Sequence, residues 1–148
     1  MGKLVVTNGD EPLTATSVGS CLVITLYDRK KRIGAMAHAL LSSKPPLEQT
    51  RPEEEARYVD GAMDTMLQKL EALGSRKEDI EVKLIGGANF FPLLEKEEKD
   101  IGFKNIERAK EYLRKKNMRL VAEATGGMIG RSVEFCPQSG TVIVKMKF

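Results

Sequence analysis

A chain of 148 residues, 41% hydrophobic and 30% charged, has the size and balance of one folded domain with its own core, and no stretch approaches the ~18 apolar residues of a membrane span. Its 24 basic and 21 acidic residues leave a net charge of +3 with the signs interspersed. With no Trp and few other aromatics, neither a phosphate-binding stripe nor a base-stacking platform is present, which argues against nucleic acid as a partner.

Two cysteines are too few for a disulfide framework, and two cysteines with one histidine make a poor zinc ligand set, so no metal is expected. The start, Met1 to Thr7, lacks the long apolar region and small-residue cleavage site of a signal peptide, and Val6 stands where a myristoylation motif carries Ser or Thr. A reducing, cytoplasmic setting is the expectation.

Leu4 to Thr7 reads as a short strand, with Asn8-Gly9-Asp10 as a turn. Leu13 to Val18 is a second extended segment, ending at Gly19-Ser20. Cys21 to Tyr27 is rich in β-formers, Asp28 to Arg32 is a polar turn, and Ile33 to Leu41 returns as a strand of small apolar residues. Ser42 to Pro52 holds three prolines and is expected as a loop. Glu53 to Leu73 carries apolar residues at helical spacing, with Pro52 and three glutamates at its start and Gly74 placed to end it. Its methionines fit a core stripe. Glu81 to Ile85 is a strand running into Gly86-Gly87-Ala88, which lacks the Lys-Ser/Thr sequel of a phosphate loop and reads first as a tight turn.

Phe90 to Leu94 is apolar for a loop and reads either as buried, the preferred reading, or as a surface for an amphipathic partner helix, followed by a solvated charge run from Glu95 to Asp100. A second helix is predicted over Asn105 to Lys116, then strands over 119–124, 132–136 and 141–147, the last two joined by the turn Pro137 to Gly140. The order predicts a mixed α/β (α+β) single domain over 1–148, with mostly antiparallel sheets and two main helices.

Chemistry is sought first at Cys21 and His38, a thiol and the chain's one imidazole, 17 residues apart across the predicted hairpin. If the loop has an even number of residues, such as Asp28 to Lys31, facing residue numbers total 59 and Cys21 lies directly opposite His38. An odd loop sends the two side chains to opposite faces. A nearby imidazolium lowers a thiol pKa and an imidazole protonates a departing amine. Gly19 permits close backbone approach, and N–H groups near Ser20 and Cys21 are placed to hold an oxyanion. The competing view is that Cys21 and His38 are simply core residues. Cys136, at a strand end with no second histidine, is read as packing, and Arg131 as solvated or structural in preference to a partner for an acidic group of a bound helix.

Several segments together resemble the CheD family of chemoreceptor glutamine deamidases: Gly19-Ser20-Cys21, Leu26-Tyr27-Asp28, Gly34 to His38, Arg57 to Asp60, Ile85 to Phe90, Ile101 to Asn105, Glu123 to Gly127, and Gly130 to Phe135. The resemblance implies a cofactor-free protein-glutamine deamidase acting on the cytoplasmic helices of methyl-accepting chemotaxis receptors. The family's nucleophile falls on Cys21 and its base on His38. A third, threonine group would be Thr16, with Thr14 as the alternative. Gly19, Ser20, Gly86 and Gly87 are expected to line the substrate cleft. The resemblance also implies the CheC phosphatase as a partner, and a monomer is expected. Two other readings remain open from sequence: an interaction module that binds the CheC phosphatase or receptors with little hydrolysis, and an amidase for small amides.

Overall fold

The structure, a computed structural model, describes residues 2–43, 56–90 and 96–146, those at 96–100 by backbone alone. Its elements follow in the order β1 (Leu4–Thr7), β2 (Leu13–Val18), β3 (Leu22–Asp28), β4 (Ile33–Ala39), α1 (Val59–Ala72), β5 (Ile80–Gly86), α2 (Lys96–Lys116), β6 (Arg119–Thr125), β7 (Arg131–Phe135) and β8 (Val142–Met146). Five strands form one sheet in the order β1-β4-β3-β5-β6, antiparallel except for β5 beside β6. β2, β7 and β8 form a second, antiparallel sheet.

Every residue of β3 and β4 is buried. A strand covered on both faces loses the polar alternation of a half-exposed one, which is why both segments read as continuous apolar runs. Leu22, Ile24, Leu26, Ala35, Ala37 and Ala39 face the two helices, meeting Met63, Met66 and Leu70 of α1 and Ala109 and Leu113 of α2. Val23, Tyr27, Met36 and Ile85 face the second sheet and pack on Ala15, Val18, Val133 and Phe135. The result is three layers, helices, five strands and three strands, with the five-stranded sheet in the middle. The mixed α+β single-domain architecture predicted from sequence is the one observed.

The helix boundaries differ from expectation for identifiable reasons. Within 56–58 the chain is not α-helical: Tyr58 is extended (φ −111°, ψ 141°) and bridges Leu41. The Leu40 N–H donates to the Arg57 carbonyl (2.8 Å) and the Val59 N–H to the Leu41 carbonyl (2.8 Å), so strand-like pairing delays α1 to Val59. Glu53 to Glu55 and Lys44 to Pro52 lie outside the described residues. At the other end Gly74 takes φ +95°, with its N–H on the Glu71 carbonyl and the Ser75 N–H on the Leu70 carbonyl, the Schellman closure expected of a C′ glycine. α2 starts at Lys96, so Lys96 to Asp100 is helix and not the open charge run expected. Lys and Glu are good helix formers even where no apolar stripe announces the helix.

The β3–β4 hairpin has an even loop, Arg29 to Arg32, but facing residue numbers total 61. The expected register is therefore off by two. Asp28 stays in the strand because its carboxylate accepts the Lys30 N–H (2.9 Å) and the Lys31 N–H (3.0 Å). The Arg32 N–H closes the turn on the Asp28 carbonyl (2.9 Å), and Arg32 takes φ +54°. Asp28→Ala leaves those two amides without their side-chain acceptor. We expect it to cost about 1–3 kcal/mol in urea denaturation.

Candidate active site

His38 pairs with Val23 across the hairpin, so it lies on the same face as Val23, the one turned toward the second sheet. Cys21 lies in the bend one residue before β3. The shift to 61 removes the expected direct opposition of Cys21 and His38: Val23 is the residue across from His38. The capped Asp28 sets the two-residue offset.

Both side chains are 8% exposed. Burial pushes the Cys21 thiol above its ordinary value and the His38 imidazole below its own. Both shifts favour the neutral forms, the thiol and the imidazole. His38 Nε2 is buried with no hydrogen-bond partner among the described residues. The backbone of His38 is fixed by the edge strand: its carbonyl accepts the Gly2 N–H (2.7 Å) and its N–H donates to the Lys3 carbonyl (3.1 Å).

The segment Gly19-Ser20-Cys21 is held by the glycine turn after β5. The Gly87 N–H donates to the Cys21 carbonyl (2.8 Å) and the Ala88 N–H to the Gly19 carbonyl (2.9 Å). Gly86 takes φ +116°, and a Cβ there would collide with the Cys21 carbonyl oxygen and lie 2.7 Å from Val18 Cγ1. Only glycine allows that approach. A Cβ on Gly19 would lie 2.6 Å from the Phe90 ring, which is 43% exposed and roofs this segment instead of being buried as expected. Phe91 to Leu94 lie outside the described residues. Gly86 and Gly87 thus stand beside Cys21, and the Gly87 N–H is used to brace it.

Thr16 is not brought to this place. A bulge between Ala15 and Val18, with Ser17 at φ +56°, sets two residues opposite Ser132 and leaves Ala15 and Val18 inward. Thr14 and Thr16 are exposed and line a groove on the outer face of the second sheet with Ser132, Glu134 and Lys145. Sequence periodicity alone could have flagged this, since Thr14 and Thr16 alternate with the apolar Ala15. Thr16→Val is expected to leave turnover within about twofold in an ammonia-release assay, because outward substitutions have small effects.

Two further polar residues hold the surroundings: Asn105, whose place the sequence did not show, and Arg131, read from sequence as solvated or structural. Asn105 is fully buried and its Nδ2 donates to the Ser20 carbonyl (2.9 Å) and the Leu40 carbonyl (3.0 Å). Arg131 is 4% exposed and donates to the Gly126 carbonyl (2.8 Å) and the Gly86 carbonyl (3.4 Å), which settles it as structural. The signal for both was a polar residue in an otherwise apolar pattern, which sequence alone cannot separate from a surface position.

The fold is a three-layer α+β domain in which Cys21 and His38 are both buried. The family model described as CheD chemotactic sensory transduction matches residues 40–146. The chain is 37% identical to a probable chemoreceptor glutamine deamidase CheD of Methanococcus maripaludis (strain C6), over 98% of this chain and 91% of that one. It is 39% identical to a probable chemoreceptor glutamine deamidase CheD of Pyrococcus horikoshii, over 96% and 86%. It is 32% identical to the chemoreceptor glutamine deamidase CheD of Halalkalibacterium halodurans, over 98% and 90%. The chain belongs to the CheD family.

Proposed function

We propose that this protein hydrolyses glutamine side chains of chemotaxis receptors to glutamate and ammonia, with Cys21 as nucleophile and His38 as general base. What supports the site assignment is that Cys21 and His38, the chain's one histidine, are both buried toward one end of the β3–β4 hairpin, Cys21 one residue before β3 and His38 paired with Val23. Family membership supplies the substrate class, since the relatives are named for glutamine deamidation of chemoreceptors.

The neutral pair fits a general-base start. His38 takes the Cys21 proton as the sulfur adds to the carboxamide carbon, and the carbonyl becomes an oxyanion that the backbone N–H of Cys21 is suited to hold. The C–N bond then breaks, the proton passes from His38 to the leaving ammonia, and a thioester remains. Water adds with loss of its proton to His38, the C–S bond breaks, glutamate departs and the thiol is restored. No cofactor enters the sequence of steps.

Gly19, Ser20, Gly86 and Gly87 form the wall through which the carboxamide reaches Cys21, with Phe90 as its apolar rim. Thr16 has no part in this scheme, its hydroxyl being on the outer sheet face. None of the described helices is long and apolar enough to cross a membrane. The proposal places the protein in the cytoplasm, as a monomer, with the CheC phosphatase as a protein partner. Incubating a receptor cytoplasmic fragment with the protein tests the activity: each event raises the fragment mass by ~1 Da and releases one ammonia. No gain at saturating protein rejects it.

A further inference from the structure

The β3–β4 ladder ends at Leu22 and Ala39. Beyond it the strands part: the Leu40 N–H turns to the Arg57 carbonyl (2.8 Å), and Cys21 enters the bend after Ser20. Cys21 therefore sits just past the last rung that fixes its distance from β4, the strand that carries His38. The side chain of Asn105 enters at this gap. Its two Nδ2 hydrogens reach the Ser20 carbonyl, in the peptide bond that leads into Cys21, and the Leu40 carbonyl, two residues after His38.

We propose that Asn105 is a positioning residue for the Cys21–His38 pair, its carboxamide replacing the missing rung of the ladder. α2 is shaped to deliver it. Gly102, one turn earlier on the same face, lies against the turn after β5: a Cβ there would come within 2.5 Å of the Ala88 carbonyl oxygen and 2.6 Å of that of Gly87. Ile106, the next residue, fills the space beside Gly87. The helix thus lies close enough for a short amide to span both carbonyls.

Only one orientation of the carboxamide works, because the flipped one would set its oxygen against two carbonyl oxygens. That orientation leaves Asn105 Oδ1 buried without a hydrogen-bond partner among the described residues. An apolar residue at this place would avoid that cost, so what recommends asparagine here is the cross-link.

The inference rests on the Cys21–His38 reading. Its test is Asn105→Leu, of similar size with no donors, and Asn105→Ser, with one donor, each assayed for ammonia release from a receptor cytoplasmic fragment and for the pH profile of Cys21 alkylation by iodoacetamide. Ala109→Gly, in the same helix and touching neither carbonyl, controls for stability. We expect kcat to fall about tenfold or more in Asn105→Leu with KM within about twofold, and less in Asn105→Ser, since misplacement rather than lost binding is at issue. The alkylation profile shifts in both variants and not in Ala109→Gly. If Asn105→Leu does not fold, Asn105→Ser decides by the same readouts. Unchanged kcat and alkylation profile in the folded Asn105 variants, or an equal loss in Ala109→Gly, overturns the positioning role alone. Undiminished turnover in Cys21→Ala overturns the site reading and this inference with it.

Discussion

Replacing Cys21 with alanine is expected to lower ammonia release from a receptor fragment by about 10⁴-fold or more, the scale seen when a covalent nucleophile is removed. Sulfur is the one atom in the proposed site that forms a bond to substrate, and no neighbour replaces it. Cys136 is not a substitute. Its N–H bonds the Thr141 carbonyl (2.9 Å) at the start of the β7–β8 turn, away from the chain's one histidine. Cys136→Ala should therefore retain full activity. The Cys21→Ala protein should remain folded, because alanine leaves only a small void at a buried position braced by backbone hydrogen bonds from Gly87 and to Gly19. Circular dichroism and binding of the receptor fragment separate lost chemistry from lost structure.

His38→Gln is expected to cost about 10²–10⁴-fold in kcat/KM, the usual contribution of a general acid–base. It also has a signature in stability that no other histidine can obscure. Burial lowers the His38 pKa below its ordinary 6.5. The unfolded chain then takes up a proton at higher pH than the folded chain does. Its contribution to stability is fully present above about pH 6.5 and is lost as pH falls through that value toward the folded pKa. Urea midpoints measured between about pH 5 and 7 should fall with pH in the natural protein, and this component should vanish in His38→Gln. For the same reason the acid limb of kcat/KM should have its midpoint below pH 6.5. A midpoint well above it would mean that His38 is held as an imidazolium, contrary to its burial.

Much of the architecture was legible because burial writes itself into the sequence. β3 and β4 are covered on both sides and read as apolar runs, while the methionines of α1 read as a core stripe and prove to be one. Gly74 was legible as a helix stop because a left-handed C′ position favours glycine. The start of α2 was not, because Lys96 to Asp100 carries no apolar residue to mark a face. Hairpin parity was open in the sequence, between an even and an odd loop, and the two-residue offset depended on Asp28 remaining in the strand to cap Lys30 and Lys31, a choice between equally polar positions. At the site, the inward face of β4 carries His38 in step with Met36, whereas the resemblance pointed to Thr16 without regard to the pleat of β2, which turns it outward. Asn105 lay in plain view in the helix, but its role depends on a contact with residues 85 and 65 positions away in the chain.

The most direct test of the account is mass spectrometry of a chemoreceptor cytoplasmic fragment after incubation with the natural protein and, in parallel, with Cys21→Ala. Gains of ~1 Da at particular glutamines are expected with the natural protein and none with the variant. Glutamines left intact by the natural protein, or converted equally by both, would contradict it.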